Sequence, residues 1–90
     1  MKLFYIISEF VDTEFPEASM KTISIVSEED YNAGYNASYG VEPDEVRDLL
    51  EQNQCYELQE GIYEICTSDI DVLRNNLNEF GLEEKEINED

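Results

Sequence analysis

Lys21-Thr22-Ile23-Ser24-Ile25-Val26-Ser27-Glu28-Glu29-Asp30-Tyr31 is the stretch on which the fold turns, because the hydrophobic period changes inside it. From Lys21 to Val26 the alternation is two-residue, with Ile23 and Ile25 inward, and it predicts a β-strand. At Ser27 the pattern switches. A serine side chain caps the orphan amides of a first helical turn, and Glu28, Glu29 and Asp30 oppose the positive end of the helix dipole. The helix is expected to reach about Tyr39, where Gly40 supplies a left-handed stop. Tyr31, Tyr35 and Tyr39 then fall at i, i+4 and i+8 as one stripe, while Gly34 inside weakens the helix by about 1 kcal/mol relative to Ala.

Upstream, Leu3 to Val11 is apolar on both alternating faces, as a central strand requires. Asp12 to Ser19 contains Pro16 and three acids and reads as the loop of a hairpin joining this strand to the next. Downstream, Pro43 opens a second helix over about Asp44 to Asn53, with Val46, Leu49 and Leu50 on its buried side. Cys55-Tyr56-Glu57-Leu58 and Ile62-Tyr63-Glu64-Ile65-Cys66 flank a Glu60-Gly61 turn. A two-residue loop sets Leu58 opposite Tyr63, Tyr56 opposite Ile65, Glu57 opposite Glu64 and Cys55 opposite Cys66. Ser68 to Asp71 resembles a capping box, and Ile70, Leu73, Leu77 and Phe80 recur at helical spacing until Gly81. Asn75, Asn76 and Asn78 lie off that stripe and are expected in solvent.

The order β-β-α-α-β-β-α predicts an α+β fold, a four-stranded antiparallel sheet with three helices mainly on one face. Residues 1–81 form a single acidic domain, and residues 82–90 a flexible acidic tail.

The chain has 23 Asp and Glu against 5 Lys and Arg, and no His, for a net charge of -18 at pH 7 over 90 residues. With 41% apolar residues it is too hydrophobic to be a wholly disordered polyanion. Five cations neutralise few phosphates, so direct nucleic-acid binding is not expected. The longest apolar run, Leu3 to Ile7, is far short of the ~20 residues a membrane span needs. No signal-peptide cleavage pattern follows it, so a cytoplasmic protein is expected.

Without histidine there is no Ser-His or Cys-His nucleophile and no imidazole ligand, and the glycines at 34, 40, 61 and 81 are too scattered to cradle phosphate. No cofactor or metal and no enzymatic activity are expected. Cys55 and Cys66 are either free thiols in a reducing compartment or, in the register above, a cross-strand disulfide.

The acids remain as the main functional signal. From Leu82 onward there are five acids and one lysine, so the first 81 residues still carry 18 acids against 4 bases, a net -14. A small domain this charged repels itself, which favours a use for the field. Three clusters stand out: Glu28, Glu29 and Asp30 at a helix start; Glu42, Asp44, Glu45, Asp48 and Glu51 at and along the second helix; and Glu57, Glu60 and Glu64 on the outward side of the hairpin. Arg47 is placed to pair with Asp44 or Glu51 and blunt the helix row. Tyr31, Tyr35 and Tyr39 supply either a core-facing stripe or rigid contact area for a partner.

By size, acidity and lack of catalytic equipment, the sequence resembles small phage-encoded inhibitors of bacterial defence, the anti-CRISPR and anti-restriction proteins that act as DNA mimics. The resemblance is one of composition, and it carries over no individual residue. It implies a non-enzymatic inhibitor in the host cytoplasm, whose partner is a basic nucleic-acid-binding protein such as a CRISPR effector, a restriction enzyme or a nuclease. Three other readings remain open: an immunity protein against a nuclease toxin, an interaction scaffold whose charge serves only solubility, and an enzyme using carboxylates alone or a divalent cation.

Overall fold

In the computed structural model, residues 2–10, 14, 20–34 and 40–86 are described. Among them the elements run β1 (Leu3–Phe10), β2 (Met20–Ser27), α1 (Glu28–Asn32), α2 (Asp44–Gln52), β3 (Cys55–Gln59), β4 (Ile62–Ile65), α3 (Ile70–Phe80) and β5 (Glu83–Glu84). The α+β class is as expected. The sheet, however, has five strands rather than four and is mixed, in the order β3-β4-β2-β1-β5.

β1 and β2 pair antiparallel from Leu3 opposite Ser27 to Phe10 opposite Met20. Tyr5 thereby faces Ile25, Ile7 faces Ile23, and Ile23 faces Tyr63 of β4 on its other side. Residues directly opposite one another share a sheet face, so this row forms a continuous apolar floor. Val46 and Leu50 of α2 and Leu73 and Leu77 of α3 close over it, all fully buried. α1 lies on the opposite face. There Tyr31 meets the Phe4 ring edge-on at 5.4 Å, beside Ile6 and Val26.

Ser27 caps α1 as read, its Oγ accepting the Asp30 amide at 3.2 Å. The expected length fails: α1 ends at Asn32, with Ala33 as its C-cap and Gly34 following at φ 95°. Gly34 is thus the left-handed stop and not an internal weakness. Of the tyrosine stripe, Tyr31 lies on α1, whereas Tyr35 and Tyr39 lie outside the described residues.

The hairpin needs a finer correction. Gln59 does face Ile62 across the Glu60-Gly61 turn, with Gly61 at φ 82°. Between Glu57 and Gln59 a bulge at Leu58 then shifts the ladder by one residue, so Glu57 faces Tyr63, Tyr56 faces Glu64 and Cys55 faces Ile65. Because a one-residue slip exchanges the faces, Cys55 turns into the core while Cys66 is exposed, and both thiols are free.

The tail begins otherwise than expected. Leu82 is buried, and Glu83 and Glu84 pair in parallel with Phe4 and Tyr5 of β1. The Lys85 amide donates to the Tyr5 carbonyl at 2.9 Å, which extends the ladder. α3 delivers the chain there, because Gly81 at φ 117° reverses it beneath the Leu77 carbonyl, which accepts both the Gly81 and Leu82 amides. Of the asparagines, Asn75 and Asn78 are exposed as expected and Asn76 is half-buried, but two of the three also make contacts within the fold. Asn78 Oδ1 accepts the Tyr5 hydroxyl at 2.8 Å, and Asn76 Nδ2 donates to Asn53 Oδ1 at 3.1 Å, tying α3 to β1 and to the end of α2.

If β5 is a structural strand, Leu82→Ala costs about 2–4 kcal/mol through the cavity it leaves. Leu58→Ala, at a half-exposed side chain, costs under about 1 kcal/mol. Urea unfolding of the two variants checks the contrast.

Candidate functional site

The acidic residues singled out in the sequence separate into different environments. On α2, Asp44, Glu45, Asp48 and Glu51 are all exposed, whereas Val46 and Leu50 are buried. At about 100° per residue, Asp44, Asp48 and Glu51 fall within roughly 60° of one another on the side away from the core. Arg47 does not blunt this row. It reaches across to β3, its Nη2 donating to Glu57 Oε1 at 3.3 Å and Oε2 at 3.2 Å. Among the described residues no ion pair engages Asp44, Glu45, Asp48 or Glu51.

Glu42 belongs to no surface cluster. It is only 8% exposed, and its Oε1 accepts the Tyr63 hydroxyl at 2.7 Å, while Oε2 has no hydrogen-bond partner among the described residues. Instead of facing a partner, Glu42 ties the segment before α2 to the middle of the sheet. That fixes the helix start, and hence the direction of its acidic row. Burial raises the Tyr63 phenol well above the ordinary tyrosine range, and the hydrogen bond to Glu42 and the charges of Glu42 and Glu57 add to the shift against an opposing effect of Arg47.

The third cluster is split. Glu57 shares the core-side face with Tyr63, at the rim beside Arg47; Glu64 lies on the opposite face, across from Tyr56, and its Oε2 accepts the Cys66 thiol at 3.6 Å. Glu60 is exposed in the turn. At α1, Glu28 and Glu29 are exposed and Asp30 is half-buried. Tyr31 spends its hydroxyl on the Glu86 carbonyl at 3.1 Å. The Cys55 thiol is pushed up to about 11 by burial and by Cys66, and the Cys66 thiol is raised by desolvation and by Glu64. Both are therefore poor nucleophiles at neutral pH.

What sequence reasoning missed is where the cations go. Lys2 and Lys85 both bind Glu83, at 3.2 and 3.8 Å, and Arg74 binds Glu84 at 3.3 Å and Asp71 at 3.6 Å. Lys2 and Lys85 also stand over the Phe4 ring, at 5.6 and 4.8 Å. The Glu83 carboxyl is held below its usual range, first by the Lys2 hydrogen bond and then by the Lys2 and Lys85 charges. Three of the five cations thus gather at the β5 edge. α3 packs against β5 and α2 against β3, so the uncompensated row on α2 stands toward the other edge of the sheet. Such exposed pairs add little stability individually. Their consequence is a polarised charge distribution.

A cleft of about 360 Å³ is lined by Ile7, Ser8, Glu9, Lys21, Ile70 and Arg74 and contains none of the predicted site residues. Among the described residues no group of three or more acidic or thiol side chains is arranged to hold a metal ion, and no helix is long and apolar enough to cross a membrane. No protein family matches the chain, and neither a characterised protein nor a solved structure shows significant similarity to it.

Tyr63 and Tyr5 are both raised by burial. A group whose folded pKa exceeds its unfolded value, about 10 for tyrosine, contributes stability that is fully present below that value and is lost as pH rises through the folded pKa. Spectrophotometric titration is expected to show Tyr5 and Tyr63 ionising above the ordinary range, together with alkaline unfolding. Tyr63→Phe should remove one of them.

Proposed function

We propose that this chain is a non-enzymatic acidic inhibitor that occupies the positively charged nucleic-acid-binding surface of a target protein, in the manner of an anti-CRISPR or anti-restriction DNA mimic. The target class is a CRISPR effector, a restriction enzyme or a nuclease, met in the cytoplasm of the host cell. One observation carries the reading: among the described residues the four carboxylates of α2 stand exposed and outside any ion pair, while three of the five cations are drawn to the β5 edge and Arg47 is engaged by Glu57. Of these carboxylates, Asp44, Asp48 and Glu51 form a row whose steps along the axis are about 6 and about 4.5 Å, at 1.5 Å rise per residue, comparable to successive phosphates on a strand. Carboxylates so placed can meet the Arg and Lys side chains that otherwise grip a backbone.

Charge of this density also sets the kinetics. It steers encounter with a cationic cleft over roughly a Debye length, about 10 Å at 0.1 M salt, and it discourages self-association. Glu28 and Glu29 add to the same field. Glu42, Glu57 and Glu64 contribute less to contact, since each is engaged within the fold.

The test is capture on the immobilised protein at low salt, elution with rising salt, and measurement of the affinity of the recovered protein. The expected targets bind nucleic acid and are displaced by it, and their affinity falls at least about tenfold between 50 and 300 mM NaCl. Replacing the four exposed carboxylates of α2 (D44N, E45Q, D48N, E51Q) lowers affinity on the order of 10²-fold and flattens the salt slope. Thermal stability is unchanged or higher, because self-repulsion is relieved. Affinity indifferent to both salt and this variant contradicts the reading.

A further inference from the structure

We infer that the margin of the sheet at β3 is a wedge whose two sides meet two different walls of the partner's cleft, with the α2 carboxylates against a basic, phosphate-binding wall and Tyr56 against a wall that stacks nucleic-acid bases. This rests on the function proposed above and names the kind of cleft: one built for single-stranded or unstacked nucleic acid.

Charge complementarity alone gives fast encounter but not slow release, which depends on well-packed, desolvated anchors. Five large apolar side chains are exposed among the described residues: Met20, Tyr56, Leu58, Val72 and Phe80. Val72 and Phe80 are two helical turns apart on α3, and Met20 opens β2. Tyr56 and Leu58 alone are near neighbours on one strand, 54% and 52% exposed, and that strand is the edge against which α2 packs.

The Leu58 bulge determines which way these residues face. By shifting the ladder one residue it puts Glu57 on the α2 side of the sheet, where Arg47 neutralises it, and Tyr56 on the other side opposite Glu64. In the unshifted register Tyr56 would oppose Ile65, a core residue. Instead the phenol ring stands free at the margin, and the four exposed carboxylates of α2 lie on the other side of the same edge. Bulges serve in this way to re-aim side chains. A π face next to a row of anions reproduces the two recognition elements of a single strand, a stackable base and its phosphates, and base-aromatic stacking is sequence-tolerant. A second copy of this chain is a poor occupant, since its own acids would oppose Glu57, Glu60 and Glu64.

The experiment uses the partner recovered by low-salt capture, with (dT)12 and inorganic polyphosphate of matched charge as competitors. Tyr56→Ala is expected to raise Kd about tenfold or more, chiefly through faster dissociation and with the salt slope unchanged, while Tyr56→Phe stays within about twofold. (dT)12 should displace the protein better than polyphosphate does. Because Tyr56 is exposed, the variants are expected to fold, and thermal unfolding confirms it. If Tyr56→Ala binds as the parent does while the α2 variant loses affinity, the base-stacking wall is wrong and the charge reading survives. Equal displacement by polyphosphate has the same meaning. Recovery of no salt-sensitive partner overturns both.

Discussion

The parallel pairing of Glu83 and Glu84 with Phe4 and Tyr5 is the contact from which the polarity of this molecule follows. Two adjacent carboxylates entering the edge of a sheet in a chain of net charge -18 add to an already large repulsion. The arrangement is sustained because Lys2, Lys85 and Arg74 converge on them and Leu82 is buried just before them. Each ion pair is exposed and weak on its own; the burial of Leu82 and the backbone ladder hold the segment down. Once these cations are gathered at one edge, few remain to compensate the acids elsewhere, and the α2 side of the fold is left anionic.

Orientation of that anionic side depends on a second contact. Glu42 could have been one more surface acid, but its hydrogen bond from Tyr63 anchors the start of α2 over β4. From there the amphipathic pattern decides the rest: Val46 and Leu50 take the core, and Asp44, Asp48 and Glu51 are left facing out. A buried carboxylate oxygen without a donor is costly, so this anchoring has a cost in stability. The return is a helix whose acidic face has a defined direction.

Local features were legible in the sequence wherever a single residue type does one physical job. The Ser27 cap, the Gly81 stop, the Glu60-Gly61 turn and the apolar side of α2 all follow from capping, left-handed backbone or helical period. Features that depend on a comparison between distant residues were not. Gly34 competed with Gly40 as the stop of α1, and the tyrosine spacing favoured the wrong one. The Leu58 bulge was hidden because the unshifted register pairs apolar side chains better, Leu58 with Tyr63 and Tyr56 with Ile65, than the observed one, which sets Glu57 against Tyr63 and Tyr56 against Glu64. β5 was hidden because Glu-Glu looks like a solvated tail until Lys2, Arg74 and Lys85, remote in sequence, come together around it. Glu42 was misplaced for a related reason: nothing in its neighbourhood announces Tyr63 as its donor. Of the predicted site, the α2 row persists as one surface, while the hairpin cluster is divided between two sides of the sheet.

Segregated charge is what the functional account needs, and it can be measured residue by residue without any partner. Paramagnetic relaxation of amide protons by matched cationic and anionic nitroxide cosolutes reports the local potential near each one. Residues 44–52 and 57–60 should show a markedly more negative potential than residues 2–5 and 82–85, with the difference shrinking as salt is added. A potential equally negative over both edges of the sheet would contradict the account, because the acids would then be a uniform coat and not a directed surface.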